Sequence, residues 1–247
     1  MHYAHGTPSW VELSTTDADA SEAFYGALFG WTTTERREEF GGYQTFLSDG
    51  LGVGGLNPMG EQPVWTTYVA TDDADSTTEK VSAGGGTVIA PPMDVGDLGR
   101  MAVFVDPAGA VFGVWQAGEL PGAAKVNTPV SLCWNELHTG DREAAKAFYG
   151  AVFDWGAEDE DMGGEPYTVF SVEGRPVAGA GGAPETQPHW LTWFAVADTD
   201  AMVARAQELG AAVAFGPFDI PTVGRCAGLT DPQGALFGVL QGETADE

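Results

Sequence analysis

Trp10 to Thr15, with Val11 and Leu13 apolar around Glu12, reads as a short strand. The period then changes. Ala20, Ala23, Phe24, Ala27 and Leu28 form one apolar stripe at helical spacing, and Asp17 or Asp19 can cap this helix, Asp19 with Glu22 having the form of a capping box. Strands follow over Tyr43–Ser48 and the glycine-rich Val53–Leu56, and the series restarts with a strand over Trp65–Ala70 and a helix over Asp75–Ala83. Thr87–Met93, Met101–Val105 and Val111–Gln116 read as strands. The later counterpart of the second helix is Asp200–Leu209, stopped by Gly210. Asp106-Pro-Ala-Gly and Asp231-Pro-Gln-Gly carry turn chemistry.

The pattern is written twice. Trp10–Trp31 matches Trp134–Trp155 at 13 of 22 positions with an offset of 124, and Arg100–Gln116 matches Arg225–Gln241 at 10 of 17 with an offset of 125. So long a period describes two small modules, not a solenoid of short units. The boundary falls near Glu119–Thr128, which separates residues 1–120 from 127–247.

Composition narrows the partners. The 247 residues hold 10 Lys+Arg against 36 Asp+Glu, a net charge of −26, so the chain lacks the cationic footprint that grips nucleic acid or anionic lipid. Splitting at residue 122 gives 4 − 17 = −13 and 6 − 19 = −13, so both modules are acidic. A small ligand, neutral or cationic, is the expected partner, with no nucleic acid and no membrane. No apolar run approaches a membrane span and the first residues lack a leader pattern, so a cytoplasmic location is expected. Cys133 and Cys226 lie in no CxxC motif and read as reduced thiols.

A strand, then Asp-x6-Phe-Tyr-Gly-x-x-Phe-x-Trp on a helix, then Asp-Pro-x-Gly-x-x-Phe-Gly-Val near the module's end resembles the vicinal oxygen chelate superfamily, which includes glyoxalase I, bleomycin-resistance proteins and extradiol dioxygenases. The resemblance covers nearly the whole chain, and within the superfamily it is to the tandem glyoxalase-like proteins of actinobacteria often labelled hydroxylases. It implies an α+β fold of two tandem modules, each of paired βαβββ units whose eight strands form an open cup. The modules would pack as a pseudo-dimer within a monomer, or the chain as a homodimer. The metal positions of the metal-dependent members fall on Trp10 and Trp134, fourteen residues before Phe24 and Phe148, and on Gly113 and Gly238, seven beyond the turn aspartates; another lies near Trp65 and Trp190. Tryptophan and glycine cannot ligate a metal.

If Trp10 faces the cup, Glu12 and Ser14 do too; in the second module the set is Trp134, Glu136 and His138. A carboxylate beside an indole suits acid–base work, or holds a cation with help from the ring. Glu12 and Glu136 are the catalytic candidates, and Trp10, Trp134, Trp65, Trp190, Tyr68 and Trp193 the ligand-lining ones. The competing reading makes each glutamate structural, bonded to backbone or paired with Arg100 or Arg225. No metal or other cofactor is expected; the alternative is a divalent metal on Glu136, His138 and His189, against which stand His189 as a surface residue and His138 as a solvent-facing strand end. Trp31, Trp155, Phe24, Phe148, Phe112 and Phe237 are expected in the core, Tyr25 and Tyr149 to make structural hydroxyl bonds, and Arg100 and Arg225 to pair with Asp94 and Asp219. The leading expectation is a glyoxalase-like or hydroxylase-type enzyme, a lyase or oxidoreductase acting on a small organic molecule. The alternative is a binding protein of the bleomycin-resistance type that sequesters a small cation.

Overall fold

The computed structural model describes residues 2–161 and 166–242. The first module contains β1 (Pro8–Ser14), α1 (Ala18–Phe29), β2 (Thr32–Thr33), β3 (Gln44–Ser48), β4 (Leu51–Asn57), β5 (Val64–Ala70), α2 (Ala74–Ala83), β6 (Thr87–Asp94), β7 (Gly99–Val105) and β8 (Val111–Ala117). The second contains β9 (Leu132–His138), α3 (Arg142–Phe153), β10 (Gly156–Asp161), β11 (Pro166–Val172), β12 (Arg175–Gly181), β13 (His189–Ala195), α4 (Thr199–Glu208), β14 (Ala212–Ile220), β15 (Gly224–Thr230) and β16 (Leu236–Gly242). Each module is an eight-stranded sheet with two helices, in the orders β2-β3-β4-β1-β5-β8-β7-β6 and β10-β11-β12-β9-β13-β16-β15-β14. The fold is therefore α+β and duplicated. Among the described residues no helix is long and apolar enough to cross a membrane.

Local chemistry sets the helix starts. Asp17 caps α1 by accepting from the Ala20 amide, and Asp73, Asp141 and Asp198 cap the other helices in the same way. The Asp19–Glu22 capping box is thus not used: Asp19 already lies in the first turn, where its charge faces the positive end of the helix.

Compactness does not follow the repeat. One compact unit gathers Met1–Trp10, Thr66–Gly122 and Trp134–Leu191, and the other Val11–Trp65, Ala123–Cys133 and Thr192–Glu247. Each unit combines the first half of one module with the second half of the other. In the unit containing α1 and α4, Val11, Leu13, Phe24 and Tyr25 share a core with Phe194, Phe237 and Val239. In the unit containing α2 and α3, Val69, Phe104 and Phe112 share one with Leu137, Phe148 and Tyr149. Trp31 and Trp155 lie in these cores.

The two repeated motifs meet inside each unit. The Tyr25 hydroxyl donates to Asp231 Oδ2 at 3.0 Å and accepts from Trp65 Nε1 at 2.9 Å. Asp231 Oδ1 accepts the amides of Gln233, Gly234 and Ala235 in its own turn. The other unit repeats this with Tyr149, Asp106 Oδ2 at 2.9 Å, Trp190 Nε1 at 2.9 Å, and the amides of Ala108, Gly109 and Ala110. Both phenols are pushed well above their ordinary pKa, by burial first and then by the neighbouring carboxylate, so they stay protonated donors.

Tyr25→Phe or Tyr149→Phe leaves a buried indole N–H and a buried carboxylate oxygen each short of a partner. We expect each change to lower stability by about 1–3 kcal/mol in urea unfolding, and an unchanged midpoint would contradict the role given to these bonds.

Candidate functional site

Strand alternation separates core positions from those on the opposite face of the sheet. β9 turns Leu137 into the core with α3, which leaves Trp134, Glu136 and His138 together on its other face. The parallel neighbour β12 sets Gly179 opposite Glu136 and Gly181 opposite His138. These glycines are needed for a close approach. The Tyr167 side chain from β11 lies across them, and a Cβ at Gly179 would overlap its hydroxyl.

Tyr167 organises the carboxylate. Its oxygen accepts from Trp134 Nε1 at 2.9 Å, and its hydroxyl is hydrogen-bonded to Glu136. Burial and then the Glu136 charge push this phenol far above its ordinary range, so the proton stays on Tyr167 and is directed at the carboxylate. Glu136 Oε1 lies 3.1 Å from His138 Nε2, but off the line of a hydrogen bond. The site is half-enclosed, with the side chains of Glu136 and His138 17% and 22% exposed.

His138 stacks on His189, with ring centroids 4.7 Å apart and planes 18° from parallel. His189 Nδ1 lies 2.8 Å from the Gln187 carbonyl oxygen, which can only accept, so Nδ1 carries the proton. Its Nε2 presents a bare lone pair and is buried without a partner. Burial holds this imidazole below its usual pKa, with proximity to His138 acting in the same direction and Glu136 opposing.

The first module has the carboxylate without the imidazoles. β1 turns Val11 and Leu13 into the core, leaving Trp10, Glu12 and Ser14 on its other face. Glu12 pairs across to Gly55 and accepts from Asn57 Nδ2 at 3.1 Å. Ser14 stands at the position of His138, and Val64 at that of His189.

Two expectations change, that for Trp65 and Trp190 and that of His189 as a surface residue. Trp65 and Trp190 do not line a ligand face: both are core residues whose indole N–H groups are committed to Tyr25 and Tyr149. Tyr68 and Trp193, beside the core residues Val69 and Phe194, lie on the opposite strand face. Arg100 is held by Asp75 as well as the expected Asp94, and Arg225 by Asp200 as well as Asp219; their ion pairs are with these aspartates. His189 is not a free surface group but the lower half of an imidazole stack. Tyr167 was not anticipated, although Tyr43 stands at the matching offset of 124 beside a second glycine-rich strand.

Neither possible metal set fits well. A Cβ at Gly113 would run into the Tyr68 ring and one at Gly238 into the Trp193 ring, so the positions where metal-dependent proteins of the resembled kind place ligands are covered by aromatics. Glu136, His138 and His189 do come together. Imidazole lone pairs lie in the ring plane, however, and two nearly parallel stacked planes do not converge on one ion at about 2.0–2.1 Å. Among the described residues no group of three His, Cys, Asp or Glu is arranged to hold a metal.

The description Glyoxalase/Bleomycin resistance protein/Dioxygenase superfamily matches residues 7–114 and 132–239, once per module. The chain belongs to this superfamily. Among superfamily relatives, the protein named "Putative glyoxylase CFP32" of Mycobacterium tuberculosis (strain CDC 1551 / Oshkosh) is 42% identical over 250 residues, covering 97% of this chain and 96% of that one. Anthracycline biosynthesis protein DnrV of Streptomyces peucetius is 43% identical over 260 residues, covering 97% and 94%. The Mn(II)-bound glyoxalase from Novosphingobium aromaticivorans shares the superfamily fold, with a TM-score of 0.67 at 19% identity over 96% of this chain and 82% of that one.

The His189 environment sets a pH dependence. The unfolded chain takes up this proton near the ordinary value of about 6.5, whereas the folded chain takes it up only at lower pH. The stability tied to neutral His189 is thus complete above that value and is lost as pH falls toward the folded one. We expect unfolding free energy to drop from pH 7.5 to 5.0, and His189→Gln to shrink that drop while His138 and Glu136 remain; equal slopes would contradict the assignment.

Proposed function

We propose that this superfamily member acts on a small organic molecule, and that the second module performs acid–base chemistry in which no metal takes part. One observation carries the reading: Glu136 lies between the Tyr167 hydroxyl and His138, beside an imidazole whose Nε2 lone pair is buried and unpartnered. The Gln187 carbonyl fixes the tautomer and orientation of His189, as a buried base requires. Burial favours the neutral ring, so Nε2 is ready to receive a proton near pH 7. The imidazolium formed there is stabilised by the Glu136 charge. Tyr167 keeps the carboxylate oriented through its hydrogen bond.

A substrate with an acidic hydrogen, on carbon next to a carbonyl or on a phenol, is the class this arrangement serves. Relatives named for glyoxylase activity and anthracycline biosynthesis support a small organic substrate. The hydroxylase label of the resembled branch is compatible with the deprotonating step of such chemistry. A second reading, capture of a small cation without turnover, is favoured by Glu12, which is held by an amide and has no imidazole beside it.

The test is solvent deuterium exchange into a panel of 2-oxoaldehydes and phenols, followed by NMR, with cationic compounds screened in parallel for thermal stabilisation. Exchange on one of the panel should fall about 10²–10⁴-fold in Glu136→Gln and His189→Gln and stay near wild type in Glu12→Gln. Unaltered exchange in the first two variants would overturn the reading. Stabilisation by an intact cation with no exchange would replace it with capture.

A further inference from the structure

The connection from β9 to α3 carries a glycine that its own backbone does not require. Gly140 lies outside the left-handed region, so its conformation does not call for glycine. Space decides instead. A Cβ on Gly140 would run into the Pro184 carbonyl oxygen and lie 3.0 Å from the Pro184 Cα. Asp141, next in the chain, caps α3, so this close contact is anchored to a helix end.

Pro184 belongs to the connection from β12 to β13. There Ala183–Thr186 form a turn, closed by the Thr186 amide on the Ala183 carbonyl at 2.9 Å, with proline at the second position, where its fixed φ is favoured. Two further contacts press the turn onto the end of β9. The Thr139 amide donates to the Gly181 carbonyl at 2.8 Å, and a Cβ on Gly182 would lie 2.9 Å from the Thr139 carbonyl oxygen. Gln187 follows directly, and its carbonyl oxygen is the one 2.8 Å from His189 Nδ1.

The first module builds this corner differently. The strand-end bond recurs, from the Thr15 amide to the Asn57 carbonyl at 3.0 Å. The glycine that permits the close approach is there Gly60, against Ser14 and Thr15, whereas Thr16 stands at the position of Gly140. Thr16 keeps its side chain, whose hydroxyl donates to Gln233 Oε1 at 3.3 Å. Val64 stands at the position of His189, so no imidazole needs a carbonyl held against it. Glycine at 140 and histidine at 189 thus occur together in one copy, and the other copy has neither.

We infer that Gly140 is a positioning residue for the base: its missing side chain lets the Pro184 turn seat beside the cap of α3, and the seated turn holds the Gln187 carbonyl against His189 Nδ1. The proton is thereby kept on Nδ1 and Nε2 is left bare. A carbonyl that retreats by about 1 Å no longer makes this hydrogen bond. Gly140 acts only through the turn and the carbonyl, and its role rests on the acid–base reading of His189.

The test follows the His189 tautomer by long-range ¹H–¹⁵N NMR at about pH 8, without substrate. The wild type should show the Nδ1-H form. Gly140→Ala should lower the ratio of Nδ1-H to Nε2-H about tenfold, the worth of one hydrogen bond. Pro184→Gly, which adds no atom and loosens the turn, should move the ratio in the same direction, and it decides the matter if Gly140→Ala does not fold. Thr16→Gly, the matching change in the first module, should leave the ratio as in the wild type. A merely structural glycine would lower the urea midpoint of Gly140→Ala without altering the tautomer. That result, or an equal shift in Thr16→Gly, would overturn the inference. The tautomer is read with no substrate present, so failure of the acid–base proposal in the deuterium-exchange test leaves this result readable.

Discussion

A buried phenol–carboxylate hydrogen bond, made once in each compact unit, is the constraint on which the fold depends. Tyr25 reaches Asp231 and Tyr149 reaches Asp106, each joining the helix of one module to the last turn of the other. The bond is strong for a physical reason: the acceptor is a carboxylate, and its second oxygen is already saturated by three turn amides. An indole N–H from the strand that restarts each module closes the network. The two most strongly repeated motifs are therefore donor and acceptor of the same bond, with partners drawn from different copies.

That exchange explains what the sequence made legible and what it did not. The repeat and the core aromatics were readable, but the stripe on α1 was only half so: Phe24 and Leu28 are buried, together with Ser21, Tyr25 and Phe29, whereas Ala20, Ala23 and Ala27 are exposed, because the small alanines fit either face. The choice of partner was not, since Tyr25 is as compatible in sequence with Asp106 as with Asp231. Trp65 and Trp190 were assigned to the wrong face because their strands, Val64–Ala70 and His189–Ala195, are buried on both sides and show no alternation. The shared face of Trp134, Glu136 and His138 was legible because residues two apart on a strand point the same way, and burial does alternate from Trp134 to His138 along β9. Tyr167 reaches the carboxylate only across the neighbouring strand, and no spacing along the chain encodes that reach.

The acidity also divides by cause. Glu158, Asp159, Glu160 and Asp161 lie along the exposed edge strand β10, where charge discourages another strand from pairing. Asp17, Asp73, Asp141 and Asp198 cap helices, and Asp106 and Asp231 lock turns. Drift between the copies then separates them: Thr67 donates to Asn135 at 2.8 Å, whereas its counterpart Thr192 faces a copy in which Val11 replaces the amide, and its hydroxyl is buried without a partner. The same drift placed two histidines beside Glu136 and none beside Glu12. The duplicated scaffold thus keeps the strand glutamate in both modules and the histidine pair in one.

The protonation state of His189 tests this account most directly. Long-range ¹H–¹⁵N NMR of the histidine side chains across pH should show His189 protonated at Nδ1, bare at Nε2, and neutral at pH 7, with a midpoint below the ordinary imidazole value that falls further in Glu136→Gln. A proton on Nε2, or an ordinary midpoint indifferent to Glu136→Gln, would contradict it.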